Sequence, residues 1–252
     1  MSEFASFDGT RIAYGSAGDG APVVFVHGFA ADAQLNWIAA GVVDAVVAAG
    51  RQAVWLDCRG HGASDKPHDP AAYANDAMAR DVSALLDHLG LDEIDLVGYS
   101  MGSAISIRLA LSERRVRSVV LGGVGAGVSR IGRPSESGDI LEGLTADDAA
   151  LVKSQTGQLF RAFAESTGAD RAALAAVIRA GMSEADPSSI AVPTLVIAGE
   201  RDRLVGSPEK LASLIPGARA VIVGGDHLTA PAKPEFRQAI VDFLSDVAVA
   251  RT

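Results

Sequence analysis

The stretch "DLVGYSMGSA", residues 95–104, places a serine between two glycines at the point where an apolar run stops. The apolar residues before it are typical of a strand buried on both faces, and the "AISIRLAL" after it favours a helix. A sharp turn from strand to helix strains its central residue and leaves little room two positions before and after it. Gly98 and Gly102 provide that room, so we expect Ser100 to stand clear of the sheet's carboxyl edge.

Short apolar runs alternate with helical patterns along most of the chain. Continuous hydrophobicity of this kind indicates parallel strands joined by right-handed crossovers, with helices on both faces of the sheet. The N-terminal residues around Asp8-Gly9 favour an antiparallel hairpin. We therefore predict an α/β fold with a mostly parallel sheet of about eight strands. Besides the strand that precedes Ser100, the predicted parallel strands are residues 23–26, 53–56, 118–123, 194–199 and 220–225.

The alternation breaks between the predicted strands that end near residue 123 and begin near residue 194. No strand-like run lies there, and helical patterns take its place. Thr145 and Asp170 are candidate N-caps, and Gly181 is a candidate helix end, so about three short helices are expected. We predict a core domain of residues 1–124 and 191–252, a small helical cap of residues 125–190, and a hinge in the Gly/Ser-rich residues 125–139.

Composition excludes several classes of protein. The 252 residues suffice for one large core, and no segment has the roughly 18 consecutive apolar residues of a membrane span. The net charge of −9 is spread along the chain without a basic cluster, so we expect no nucleic-acid partner. The start does not have the pattern of a secretion signal, and the lone Cys58 excludes an intramolecular disulfide and a thiolate zinc site. These features favour a cytoplasmic location.

A serine hydroxyl becomes an effective nucleophile when a base takes its proton and a carboxylate orients that base. In sheets of this class the chain order is serine, acid, histidine. Of the five histidines, only His227 follows Ser100, and it lies on the loop after the last predicted strand. We therefore predict His227 as the base.

Three carboxylates are candidates for the acid. Glu200 and Asp202 follow the strand at residues 194–199, and Asp226 lies directly beside His227. Adjacent side chains tend to diverge, whereas a carboxylate from a neighbouring strand end can face the imidazole. Asp202 is therefore the preferred candidate.

Two backbone amides are placed to stabilise a developing oxyanion. Met101 begins the helix that follows Ser100, so its N–H points at the site. Gly28 permits a tight turn after the strand at residues 23–26, and the Phe29 N–H follows it. His27 is expected to support this loop by hydrogen bonding.

With these elements together, the chain resembles the α/β-hydrolase superfamily, in its compact esterase, peroxidase-like and dehalogenase-like branch. The resemblance covers nearly the whole length. It implies a nucleophile at Ser100, an acid at Asp202, a base at His227, oxyanion amides from Phe29 and Met101, a helical cap, and no cofactor or metal. The residues that carry it are 27–29, the turn "DCRGHGASD" at 57–65, 98–102, 199–202 and 226–227.

The turn "DCRGHGASD" carries no predicted proton transfer. Gly60 and Gly62 suit a tight loop, and Arg59 and Asp65 are expected to hold it by charged hydrogen bonds. We interpret His61 as a structural residue of this loop.

These residues predict a serine hydrolase that cleaves a small, mainly apolar carboxylic ester through an acyl-enzyme. Leu204 and Leu228 join Phe29 in an apolar pocket wall, with Phe160 and Phe163 from the cap. Further candidates for the wall are Met101, Val205 and Met182.

Alternatives remain within the same fold. Haloalkane dehalogenases and epoxide hydrolases of this fold have an aspartate where this chain has Ser100, so both activities are excluded. Carbon–carbon bond hydrolases usually carry a longer glycine-rich run where this chain has Phe29-Ala30-Ala31, which ranks that activity low. A small-ligand receptor that hydrolyses slowly, and a perhydrolase that uses peroxide in place of water, stay open.

Overall fold

The computed structural model describes residues 1–128 and 137–249, and within them eight strands form one sheet. The strand order is β1-β2-β4-β3-β5-β6-β7-β8, with β1 and β2 antiparallel to their neighbours and the remaining strands parallel. The expected mostly parallel sheet is confirmed. The strands are β1 (Ser2–Ala5), β2 (Arg11–Ala17), β3 (Pro22–Val26), β4 (Gln52–Leu56), β5 (Ile94–Tyr99), β6 (Val116–Gly122), β7 (Thr194–Gly199) and β8 (Arg219–Val223).

Helices cover both faces of the sheet. On β3, Val24 and Val26 belong to one buried cluster while Val23 and Phe25 belong to another, which is why the strand reads as continuously apolar. No helix in the two described ranges is long and apolar enough to cross a bilayer. The helices are α1 (Val42–Ala48), α2 (Ala77–Leu89), α3 (Met101–Ser112), α4 (Gly138–Thr145), α5 (Gln155–Thr167), α6 (Arg171–Ala180), α7 (Pro208–Leu214) and α8 (Pro234–Val249).

The three helices α4, α5 and α6 lie between β6 and β7 in the chain. They share a small buried cluster with Ala30 of the loop after β3. The Thr167 hydroxyl, at the end of α5, donates a hydrogen bond of 2.9 Å to the Ala30 carbonyl oxygen. This helical segment therefore touches the loop that carries Phe29.

Some of the predicted helix boundaries in this segment are correct and one is wrong. Asp170 caps α6 by accepting the N–H groups of Ala172 and Ala173, and Gly181 follows its last residue. Thr145 does not begin a helix; it ends α4, where its hydroxyl donates to the Leu141 carbonyl. The N-cap of α5 is Ser154 instead.

The chain between α4 and α5 is correspondingly less helical than its pattern predicts. Only a single 3₁₀ turn, Ala149–Leu151, lies there. The carboxylate of Glu142 accepts the N–H groups of Lys153 and Ser154, which holds the chain in a bend rather than a helix. Of the predicted hinge, residues 129–136 lie outside the described residues.

The backbone of helix α3 lies in direct contact with the backbone of the sheet. A Cβ atom on Gly102 would lie 2.0 Å from the Val26 carbonyl oxygen of β3. A Cβ on Gly98 would lie 2.5 Å from the Gly102 carbonyl oxygen. The two glycines of the opening stretch are therefore required because backbone atoms occupy the space where side chains would be.

We expect Gly102→Ala to lower the free energy of unfolding by at least about 2 kcal/mol, because the contact is with backbone that cannot rotate away. Urea unfolding of the purified variant measures this. Gly138→Ala is the matched control: it also lies in a helix, a Cβ there meets open space, and its stability should equal or slightly exceed that of the wild type. Equal stability of the two variants would contradict the close packing of α3.

Candidate active site

Ser100 stands at a strained turn between β5 and α3. Its backbone has φ 52° and ψ −112°, and it is one of four non-glycine residues with positive φ in the described parts of the chain. Its N–H donates to the Gly122 carbonyl oxygen of β6 at 2.8 Å, which holds the turn at the sheet edge. Conformations of this kind cost about 1–3 kcal/mol and persist where the surrounding structure enforces them.

The structure brings Ser100, His227 and Asp202 into one hydrogen-bonded chain. His227 Nε2 lies 3.0 Å from Ser100 Oγ, and His227 Nδ1 lies 2.7 Å from Asp202 Oδ2. The Asp202 side chain is fully buried and the His227 side chain is 15% exposed. Because a carboxylate can only accept, Nδ1 carries the proton and Nε2 offers its lone pair to the serine hydroxyl.

The two rejected carboxylates make other contacts. Asp226 Oδ1 accepts the Leu228 N–H at 3.1 Å and both the N–H and the hydroxyl of Thr229, at 3.0 and 2.7 Å. These bonds hold the pKa of Asp226 below its usual value and turn it away from the ring beside it. Glu200 forms an ion pair with Arg201 at the surface. Although Asp226 is next to His227 in the sequence, its carboxylate bonds to the turn that follows and not to the His227 ring.

Main-chain hydrogen bonds hold the loops of Asp202 and His227 together. The Arg201 N–H donates to the Gly225 carbonyl at 3.0 Å, and the Glu200 N–H donates to the Val223 carbonyl at 2.8 Å. A Cβ on Gly199 would lie 2.6 Å from the Gly225 carbonyl oxygen. Asp202 and His227 therefore lie on two turns that are fixed relative to each other.

Sequence reasoning missed the contribution of Tyr99. Its buried hydroxyl donates to the His227 carbonyl oxygen at 2.7 Å, and its ring centroid lies 5.5 Å from that of His227. A Cβ on Gly122 or Gly123 would lie 2.8 or 2.7 Å from the Tyr99 ring. The paired glycines at the end of β6 leave room for the Tyr99 ring, and they are the signal in the sequence from which its position could have been inferred.

Two backbone amides lie beside the serine: that of Met101, which follows it in the chain, and that of Phe29, which follows Gly28. Met101 is the first residue of α3, so its N–H has no acceptor within the helix. Among the described residues, nothing accepts a hydrogen bond from the Phe29 N–H. The Gly28 N–H, by contrast, donates to Asn36 Oδ1 at 2.8 Å. This bond fixes the loop that presents Phe29.

His27 and His61 are buried in the loops beneath the site, and neither lines the cavity. His27 Nε2 accepts the Cys58 N–H at 2.9 Å and its Nδ1 donates to the Gly28 carbonyl at 2.8 Å, while burial lowers its pKa. His61 Nδ1 donates to the Arg59 carbonyl at 3.0 Å. Burial, and then the neighbouring His27, lower the pKa of His61 to about 3, so both rings are neutral supports.

Charged hydrogen bonds hold the turn at residues 57–65. The guanidinium of Arg59 pairs with Asp81 at 2.6 Å and with Asp8 at 2.8 Å, and Asp65 pairs with Arg11 at 3.0 Å. Gly60 and Gly62 take positive φ there. This turn supplies the Cys58 N–H that fixes His27.

A cavity of about 460 Å³ opens at Ser100 and His227. All five residues expected as substrate contacts line it: Phe29, Leu204, Leu228, Phe160 and Phe163. Met101, Val205 and Met182 do not; Met101 and Met182 pack with the main core, and Val205 is buried.

The cavity also has polar lining residues. Arg201, Arg203 and Asn36 were not anticipated from the sequence. Within residues 1–128 and 137–249, no three His, Cys, Asp or Glu side chains are grouped so that they could hold a metal ion.

Comparison with known proteins adds to this geometry. The profile described as alpha/beta hydrolase fold matches residues 21–175. Similar proteins include the dihydrolipoyllysine-residue acetyltransferase component of the acetoin cleaving system of Pseudomonas putida, 32% identical over 84% of this chain and 54% of its own length. The chain thus spans about half of that relative. The non-heme chloroperoxidase CPO-A1 of Kitasatospora aureofaciens is 29% identical over 94% of this chain and 97% of its own.

Among solved structures, a hydrolase from Pseudomonas aeruginosa PA01 has a TM-score of 0.80 and 26% identity, covering 96% of this chain and 97% of its own. Esterase and enol-lactonase structures, each 23% identical, share the fold. A 2-hydroxy-6-oxononadienedioate hydrolase is also among the similar sequences.

We expect Ser100→Gly to be more stable than Ser100→Ala by about 1 kcal/mol or more, because only glycine accepts the positive φ without a Cβ penalty. Thermal and urea unfolding of the two variants measure the difference. Equal stabilities would mean that the turn at Ser100 stores no strain.

The buried His61 should make stability depend on pH. Folding lowers the pKa of this imidazole. In the unfolded chain His61 is protonated below about pH 6.5, whereas in the folded protein it stays neutral down to about pH 3. Stability is therefore lost as pH falls below about 6.5, by about 2 kcal/mol from this group at pH 5. Urea unfolding at pH 7.5 and pH 5 measures it.

In His61→Asn that pH dependence should be shallower, because the amide cannot take up the proton. The wild-type slope, measured in parallel over the same pH range, is the reference. A wild-type slope in His61→Asn would contradict a buried neutral imidazole.

Proposed function

Since this chain belongs to the α/β-hydrolase fold family, we propose that it is a serine hydrolase that cleaves small, mainly apolar carboxylic esters through an acyl-enzyme. The observation that carries this proposal is the Asp202–His227–Ser100 hydrogen-bonded chain at the floor of an apolar cavity. In this proposal Ser100 is the nucleophile, His227 the general base and Asp202 the orienting acid.

Acylation begins when Ser100 Oγ attacks the ester carbonyl carbon while His227 Nε2 takes the hydroxyl proton. The carbonyl electron pair moves to oxygen, and the Phe29 and Met101 N–H groups stabilise that oxyanion. Collapse of the tetrahedral intermediate breaks the bond to the alcohol oxygen, which receives the proton from His227. The acyl group is then bound to Ser100 Oγ as an ester.

Deacylation repeats these steps with water. The water oxygen attacks the acyl carbonyl carbon while His227 Nε2 takes a proton from that water. The same two amides stabilise the second oxyanion. Ser100 leaves with the proton from His227, and the carboxylic acid is released. Asp202 stays ionised throughout and stabilises the imidazolium. Each oxyanion donor is expected to contribute about 10²–10³ in rate.

The lining of the cavity supports the substrate class. Its volume of about 460 Å³ is in the usual range for small-molecule sites. Four leucines that line it remain about half exposed, so its mouth is apolar as well. Such a surface favours the transfer of an uncharged acyl chain from water. The four are Leu35, Leu159, Leu204 and Leu228.

We expect Ser100→Ala to abolish turnover of p-nitrophenyl butyrate, and Asp202→Asn to lower kcat by about 10⁴ because the amide disfavours the required tautomer of His227. The double variant should be no slower than Ser100→Ala, since the three residues act as a unit. Release of p-nitrophenol measures turnover, and circular dichroism verifies that each variant is folded.

Asp226→Asn is the matched control. It changes the carboxylate next to His227, whose hydrogen bonds among the described residues all lie within its own turn, so kcat should stay within about tenfold of the wild type. An equal loss in Asp226→Asn and Asp202→Asn would overturn the assignment of the acid. Undiminished turnover in Ser100→Ala would overturn the mechanism.

A further inference from the structure

Asn36 is a buried polar side chain in an apolar wall of the cavity. It lies in a π-helical turn, Gln34–Ile38, and only 9% of it is exposed. Its neighbours Leu35 and Ala39 also line the cavity. Irregular turns of this kind often occur at functional sites.

The orientation of the Asn36 carboxamide is set by one hydrogen bond. The Gly28 N–H donates to it at 2.8 Å, and since an N–H can only donate, the oxygen must face Gly28 and Nδ2 must face away. Among the described residues, nothing accepts a hydrogen bond from Asn36 Nδ2. That amino group is not sealed among protein atoms either. The two N–H donors are therefore available to a molecule in the cavity.

Asn36 also lies beside the reacting serine. A Cβ atom built on Gly28 would lie 3.4 Å from Ser100 Cβ and 3.5 Å from Asn36 Oδ1. The carboxamide and the serine thus flank the same side of Gly28. Two further donors that line the cavity, Arg201 and Arg203, are exposed on the loop after β7.

We propose that Asn36 is a specificity residue whose Nδ2 donates a hydrogen bond to a substrate oxygen near the reacting carbonyl. The preferred substrates are then esters whose acyl group carries an ether, hydroxyl or oxo oxygen close to the carbonyl carbon. This inference rests on the proposed function and narrows its substrate class. Asn36 Oδ1 keeps its separate role of holding the Gly28 loop.

The selectivity follows from the burial of the donor. A purely hydrocarbon acyl group would displace water from Nδ2 and leave it without an acceptor, whereas an oxygen in the same place satisfies it. One neutral hydrogen bond of this kind corresponds to a preference of about fivefold to tenfold in kcat/KM.

Two p-nitrophenyl esters of equal size test the proposal: the methoxyacetate, and the butyrate in which a methylene replaces the ether oxygen. Because the two differ in intrinsic reactivity, the quantity measured is the ratio of their kcat/KM values in each variant relative to the wild type. We expect this ratio to fall about fivefold to tenfold in Asn36→Leu and in Asn36→Asp.

The two variants separate binding from support of the loop. Asn36→Asp keeps an oxygen for the Gly28 N–H and loses the donors, whereas Asn36→Leu loses both. Gln34→Leu, an exposed carboxamide on the same turn that does not line the cavity, is the matched control and should keep the wild-type ratio. A wild-type ratio in Asn36→Asp would overturn the proposal and leave Asn36 as a support of the loop only.

A binding measurement keeps the two proposals distinguishable. Saturation-transfer NMR compares ethyl methoxyacetate with ethyl butyrate on the wild type and on Asn36→Leu. If the wild type hydrolyses neither p-nitrophenyl ester, the proposed function fails, and a methoxyacetate preference that Asn36→Leu loses still supports the donor at Asn36. Equal binding of both esters to both proteins would overturn it.

Discussion

Helix α3 meets strand β3 so closely at Gly102 that only hydrogen fits where a side chain would be. Because α3 begins at Met101, the residue before it, Ser100, takes a positive φ and stands at the carboxyl edge of the sheet. The Met101 amide, the first of α3, directly follows Ser100 in the chain. The packing of one helix on one strand therefore sets the position of Ser100, the proposed nucleophile, together with that of the Met101 amide, a proposed oxyanion donor.

The remaining groups reach Ser100 through loops that are fixed to one another. Main-chain bonds between the turns after β7 and β8 hold Asp202 against His227, and Tyr99 holds the His227 carbonyl. Beneath the loop of Phe29, the neutral ring of His27 bridges Gly28 and Cys58. Such supports matter because a catalytic hydrogen bond tolerates displacements of only about 0.5 Å.

The same supports make the site sensitive to protonation. His27 and His61 are buried as neutral rings, so the loops that contain them are stable only while these imidazoles stay unprotonated. Arg59 is buried as well, but it stays charged because Asp81 and Asp8 face its guanidinium. Asn36 differs from all of these, since its carboxamide oxygen is bonded to the loop while the residue also lines the cavity.

The amino-acid sequence was enough to predict the features that depend on local pattern: the apolar strands, the two glycines around Ser100, and His227 as the single histidine after it. Contacts between residues far apart in the chain depend instead on the packed fold. The packed fold made the contact between Asp202 and the imidazole that the sequence had only favoured over Asp226, ended α4 at Thr145, and bonded Tyr99 to the His227 carbonyl and Asn36 to the Gly28 amide. The reason is physical: periodicity records which face of an element is buried, whereas the partner of a polar side chain depends on loops that only the packed sheet brings together.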